Sequence, residues 1–498
     1  MSISPPDDTR RVPACARMRR LLRRAAVLLL ALPLDACMMG PNFSRPPPPK
    51  VDQFVTGGLP AEPMQAAGAS QTFSAQADLP SDWWTLFGSL AIDNAVDEAL
   101  TGNATIDSAQ AALRQSEDEM RAGAGIFFPQ IDAGFGASRQ KFSPLRLGSD
   151  QPSTLFNLFT LSASVSYVLD IWGGQARMVE ALRAREDAQR YSVLATYLTL
   201  TANVVNTMIA RAAYTDQIAA TSEMIGLLQE QVRITRAQSD AGTSAYSAVL
   251  TLENEQATLE ASVPTLAQKR AQAEDLLAVL SGMVPAQWHA PELSLSDIAL
   301  PSTLPDTVPA SLVRRRPDIL QAEAAFHVAS ANIGVATANL LPGVTLSASG
   351  GYDNSSMSTL LHRSGQIWAV AADITAPVFH GGTLWFQRKA ALDAYAQERA
   401  AYRQVVLSAF GEVADVLRAL DNDARALDAQ TRAMDAAAQA LHLIRIDYDA
   451  GTIGYLQILV ADQQYHQARI AWLQGVAQRL QDTVALYVAL GGGWNDQK

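Results

Sequence analysis

The chain has 498 residues, 48% hydrophobic and 17% charged, with a formal net charge of −11. That is ample apolar material for a core and excludes a disordered chain. Residues 1–36 hold seven Arg and three Asp, leaving 31 basic and 46 acidic side chains in the rest, about −15. Such a body lacks the clustered cations that phosphate backbones require, which excludes a nucleic-acid partner.

Residues 1–36 read as a signal peptide, with Met18 an alternative start. Its stretch MRRLLRRAAVLLLALPLDAC has a basic front and an apolar run from Ala25 to Leu34, too short to span a bilayer as a helix. LDAC resembles a bacterial lipobox, in which cleavage leaves Cys37 as the first residue, its sulfur acylated; Asp35 departs from the small residue usual at its position. The second cysteine, Cys15, precedes the cut, so the mature chain has no disulfide and no thiol ligand set. Residues 37–82, opening GPNFSRPPPPKV after the cysteine region, read as a lipidated extended tether.

Residues 83–303 form the first of two repeats. Helical spacing runs from Trp83 past Ala104 to Pro129. Two strands are predicted near 127–138 and 156–170. In the second, Phe159, Leu161, Val165 and Tyr167 alternate with Ser162, Ser164 and Ser166, which gives one apolar and one polar face. A long hairpin follows over 175–281. Its first arm has no proline from Gln175 to Ala241, and a helix of that length spans roughly 100 Å, too long for a compact domain. Its second arm contains Pro264, which is expected to kink it.

Residues 304–498 repeat the plan: a helix over 317–340 opened by Pro317-Asp318, strands near 342–353 and 366–379, and a hairpin over 383–490. The tetrapeptide Asp-Ala-Gly-Thr occurs at both predicted hairpin tips, beginning at Asp240 and Asp449, each followed by a tyrosine, Tyr246 and Tyr455. The fold class is therefore mainly α with a β-barrel portion. Four strands of membrane-crossing length cannot close a barrel alone, and open edges in lipid leave backbone groups unsatisfied. Several chains sharing one barrel resolve this.

The stretches CMMGPNFSRP, WWTLFGSL, RRPDILQAEAAFHVASANIGVATANLLPGVTLSASGG, VPTLAQKRAQAEDLLAVLSG and ALYVALGGGW together resemble the TolC-like outer-membrane factors, in particular the NodT-type efflux lipoproteins. The resemblance covers Cys37 to Trp494. It implies a homotrimer with a 12-stranded barrel and a 12-helix periplasmic tunnel, anchored in the outer membrane of a Gram-negative bacterium. Its implied role is the exit duct of a tripartite efflux pump, with a periplasmic adaptor and an inner-membrane pump of the resistance-nodulation-division class. Drug efflux leads among the cargoes; metal-ion efflux, type I protein export and a non-pore periplasmic structural lipoprotein are the alternatives. The resemblance also places a periplasmic gate on the last helix. By position it falls on Leu456 and Val460, with Asp449, Tyr455, Asp462 and Gln463 as possible tip contacts. The family's aspartate and arginine at the positions of Val460 and Gln463 are absent here, and Asp462 is displaced onto another face, so an apolar gate is expected.

No enzyme is predicted. His289, His327, His362, His380, His442 and His466 show no metal-ligand spacing, the twelve methionines are scattered, and no nucleophile–base arrangement is brought together. No cofactor is expected.

Overall fold

A computed structural model describes residues 38–51, 53–55, 58, 64–74, 79–143, 148, 150–305 and 309–492; Cys37 and the signal segment lie outside them. In chain order the elements are strands β1 (Met64–Ala66) and β2 (Ala69–Ser74), helices α1 (Leu90–Gly102) and α2 (Ala104–Ala124), and strands β3 (Gln130–Phe142) and β4 (Thr154–Leu169). Helices α3 (Gly174–Asp240) and α4 (Tyr246–Leu280), strand β5 (Thr303–Pro305) and helices α5 (Pro309–Arg315) and α6 (Pro317–Ala338) follow. Strands β6 (Gly343–Asn354) and β7 (Gln366–Thr375) and helices α7 (Thr383–Asp449) and α8 (Tyr455–Ala489) complete the chain.

Two compact units cut across the two sequence repeats. One comprises residues 38–40 with Ile126–Arg177 and Gly334–Trp385; the other comprises Pro41–Gly125, Met178–Ile333 and the residues from Phe386 onward.

The first unit is built on a four-stranded antiparallel sheet in the order β3-β4-β6-β7. The β4 strand ends in a turn whose Gly173 has φ 71°, a conformation that L side chains avoid. Asp170 then caps α3, accepting hydrogen bonds from the backbone N–H of Gln175 at 3.1 Å and Ala176 at 2.8 Å. The Trp172 indole donates to the Pro342 carbonyl at 2.7 Å. Met39 is fastened to the same turn: its N–H donates to the Trp172 carbonyl at 3.0 Å, and its carbonyl accepts from Arg177 Nε at 3.2 Å. Met39 is thus docked at this point.

The second unit contains the long helices. Helices α3 and α7 have 67 residues each, and α4 and α8 have 35 each, so the duplication extends to element length. Both hairpin turns close alike. Thr243 N–H reaches the Gln238 carbonyl at 2.9 Å, and Thr452 N–H reaches the Asp447 carbonyl at 3.0 Å. Each threonine hydroxyl donates to the same carbonyl, at 2.9 and 2.8 Å. Gly242 and Gly451 take φ 72° and 74°, as the six-to-one closure of a helix C-terminus demands. The repeated tetrapeptide is this helix stop. Helix α4 continues through Pro264.

The core of this unit gathers Trp83, Phe87, Ile92 and Val96 against Met208, Ile209 and Tyr487. Beside it stands a three-stranded sheet, β1-β2-β5, whose first two strands fall within the stretch 37–82 that reads as an extended tether. Its β2–β5 pairing is parallel, Phe73 opposite Leu304. Buried Arg479 of α8 secures it, donating to the carbonyls of Met64 at 2.6 Å and Ala66 at 3.1 Å and to Gln71 Oε1 at 3.1 Å. Gln71 in turn donates to Thr483 Oγ1 and the Pro301 carbonyl, both at 3.1 Å. Burial pulls the Arg479 guanidinium below its ordinary value, and three oxygen acceptors offset the cost of the buried charge. The proline-rich strap is also held here: Phe43 stacks on His327 with centroids 4.2 Å apart, and Arg45 Nε meets Glu323 at 2.5 Å.

Candidate functional site

The four-stranded sheet has two chemically distinct faces. The pairings Ile131–Val165–Ala348–Val370 and Phe135–Leu161–Tyr352 fix one face, because residues two apart share a side. To it belong also Phe159, Tyr167, Leu346, Trp368 and Ile374. On the opposite face the row Asp132–Ser164–Ser349–Ala369 and its neighbours Ser162, Ser166, Ser347, Thr160 and Asp353 are polar or small. The apolar side chains are open: Ile131 is 73% exposed, Trp368 76%, Val370 74% and Ile374 73%. Strands β3 and β7 lie at the two edges of the four-strand order. A sheet with one greasy face and two open edges suits lipid on that face and further strands at its edges. A window of α3 is apolar enough to cross a bilayer by length and composition, but half of it is buried inside the protein. The strands therefore carry the membrane reading.

The hairpin tips hold the remaining sequence-named residues. Leu456 is 64% exposed and Val460 45%, one turn apart on α8 and hence on one face. Asp449, the last residue of α7, is exposed. Tyr455 turns the other way: its ring meets Tyr448 edge-on at 5.9 Å and packs beside Met224, Leu228, Leu252 and Leu459. Its hydroxyl is buried with no hydrogen-bond partner among the described residues, and burial, followed by the Asp462 charge, pushes it up. Within one chain Tyr455 thus packs against the first hairpin.

Asp462 and Gln463 also act inside one chain. Arg445 of α7 donates to Asp462 at 2.8 Å; burial lifts this carboxyl above its usual range although the guanidinium opposes the shift. Gln463 donates to Glu255 of α4 at 3.3 Å, and Arg469 pairs with Glu223 of α3 at 2.6 Å, so α8 is tied to the first hairpin.

One pair was missed from the sequence although its signal was there. Arg236 pairs with Glu253 across the first turn as Arg445 does with Asp462 across the second. Both pairs span 17 residues, and the two arginines, like the two acids, stand 209 apart, the spacing of the tetrapeptide. No group of three or more His, Cys, Asp or Glu side chains that could hold a metal exists among the described residues.

A sequence profile of the family described as "Outer membrane efflux protein" matches residues 95–283 and 308–492. The chain is 28% identical over 478 residues to the pyoverdine export outer membrane protein OpmQ of Pseudomonas putida, covering 95% of this chain and 98% of that relative. It is 28% identical over 479 residues to the cation efflux system protein CusC of Escherichia coli O6:H1, covering 93% and 97%. The solved structure of the outer-membrane channel OprN superimposes with a TM-score of 0.83 at 26% identity, over 92% of this chain and 100% of that one.

Proposed function

We propose, since the chain belongs to the outer membrane efflux protein family, that three copies build the outer-membrane exit duct of a tripartite efflux system. Each copy gives four strands to a 12-stranded barrel, and the long helices form a 12-helix periplasmic tunnel. The duct conducts passively, with no catalytic step. A periplasmic adaptor and an inner-membrane pump of the resistance-nodulation-division class load it. Cys37, acylated, anchors each chain; Met39, two residues on, is pinned at the end of β4.

The observation that carries this reading is the sheet: one apolar face, one polar face and two edges that a single chain leaves open. A periplasmic spacer would need the helices but has no use for such strands. Closure between copies puts β7 of one beside β3 of the next, which satisfies every edge and makes the polar faces the wall of a water-filled lumen. No cysteine follows Cys37, so engineered ones stand alone. Gly134→Cys on β3 combined with a scan of cysteines at Ile367, Ala369, Ala371 and Asp373 on β7 should give disulfide-linked trimers for at least one pair. No inter-chain product from any pair would refute the shared barrel.

Leu456 and Val460 are the proposed gate, an apolar constriction contributed by three tips. Their exposure supports this, because an apolar pair left open on a helix whose other side is buried needs a partner. The Arg445–Asp462 and Gln463–Glu255 contacts hold that helix against its own chain, and an adaptor competing for them would loosen the tip. The relatives' names record pyoverdine export for one and cation efflux for another. For this chain we infer drug-like organic cargo, because its twelve methionines are scattered along the sequence and form no run of soft ligands.

A further inference from the structure

Five charged side chains stand on the four strands of the barrel sheet: Asp132, Arg139, Lys141, Asp353 and Asp373. Strand parity sorts them by sign. The register places all three carboxylates on the polar face, Asp132 opposite Ser164, Asp353 opposite Thr160 and Asp373 opposite Thr345. Both cations lie on the apolar face, Arg139 opposite Asn157 and Lys141 opposite Leu155. They are also confined to one end. The apolar row on β3 runs Ile131, Ala133, Phe135, Ala137 and then turns basic in the last four residues, at the end farthest from α2 along the chain and next to the loop at 143–153. Both are exposed, and neither makes a hydrogen bond or ion pair among the described residues.

We propose that Arg139 and Lys141 seat the phosphates of a phosphorylated glycolipid of the outer leaflet, one per chain. The inference rests on the outer-membrane reading above, which makes the apolar face the lipid-facing one and the loop end the outer end. A cation on that face costs about 2–4 kcal/mol at the bilayer midplane and close to nothing at the interface, so two at the outer rim are tolerated where anionic headgroups lie. Two strand steps separate them by roughly 7 Å, within reach of a headgroup carrying two phosphates. The guanidinium can grip one phosphate through two parallel N–H donors while the ammonium meets the other as a point charge. Below them, Ala137 and Phe159 meet the acyl chains, and Leu155 flanks Lys141 on the same face. The opposite sorting, with acids toward water and bases toward lipid, gives the anionic headgroup attraction without a facing carboxylate on that surface.

Full-length trimer extracted from outer membranes is delipidated and incubated with bis-phosphorylated glycolipid, the same glycolipid after phosphatase treatment, or phosphatidylglycerol. Retained lipid is read by native mass spectrometry. Two basic groups, each worth about fivefold near an anionic surface, should make wild-type retention roughly thirtyfold that of R139Q/K141Q. R139K/K141R should restore most of it, and the phosphatase-treated glycolipid should be retained no better by wild type than by the double variant. Equal retention by wild type and R139Q/K141Q overturns the proposal, as does equal retention by wild type of the glycolipid with and without phosphates, a comparison that needs no variant. Retention of phosphatidylglycerol to the same degree overturns the glycolipid assignment. Failure of the outer-membrane reading has a separate signature: no trimer in the outer-membrane fraction at all.

Discussion

An arginine placed at Val165 should be costly, and one placed next door at Ser164 should not. On β4 the apolar row runs from Phe159 to Leu169, ten residue steps. At about 3.4 Å per residue and a tilt near 45°, that row covers roughly 24 Å of membrane normal, close to the ~25 Å apolar band of such barrels. Its midpoint is residue 164, so Val165 lies within about 3 Å of the midplane. Val165 also sits between Ile131 and Ala348, inside the sheet rather than at an edge, so an arginine there has no nearby strand end through which to reach water. Val165→Arg should therefore cost about 2–4 kcal/mol per chain. Ser164→Arg, on the polar face, should leave trimer stability within about 0.5 kcal/mol and lower single-channel conductance to cations. Urea titration of detergent-solubilised trimers, scored by heat-sensitive migration on gels, measures the difference. Equal destabilisation by the two substitutions, or a larger one from Ser164→Arg, would refute the face assignment.

Cys37→Ser should abolish incorporation of radioactive palmitate while leaving a reduced amount of assembled trimer; equal labelling of both proteins would remove the lipid anchor. Leu456→Ser combined with Val460→Ser should raise resting conductance severalfold and sensitise cells to bulky antibiotics such as vancomycin, whereas unchanged conductance would place the gate elsewhere. Asp482 offers a pH test. Burial first, and then a hydrogen bond shared with Asp423 of α7, push its carboxyl up to about 7, with Gln478 opposing. An acid raised in the folded state keeps a proton that the unfolded chain loses, so stability falls as pH climbs from about 4 to about 7 and is flat above. Asp482→Asn should remove that slope, making the variant the more stable protein at pH 8, by at most about 4 kcal/mol; parallel slopes in the two proteins would exclude the pair as its source.

What the sequence disclosed and what it withheld follow from the range of the interactions. The helix stops at Gly242 and Gly451 and the alternation around Val165 are local, set by φ at one residue and by a period of two, and both are legible from short windows. The sheet β1-β2-β5 was not. Its strands are three to six residues long, and it is held by Arg479 and Gln71, which lie 408 residues apart and look ordinary alone. Asp462 reads as a tip residue in sequence and is buried because Arg445 faces it across the turn. The duplicate pair Arg236–Glu253 could have revealed that arrangement, because the 209-residue offset applies to both partners. The packing of Tyr455 is just as remote from any short window, because Met224, Leu228 and Leu252 belong to the other hairpin.

Single-channel recording from purified full-length trimer in a planar bilayer tests the exit-duct claim most directly. A barrel shared by three chains should give discrete, uniform conductance steps, small in the wild type with its apolar tips closed and larger in L456S/V460S. A folded, heat-resistant trimer that inserts yet shows no step in either protein would contradict the duct and leave only a periplasmic spacer.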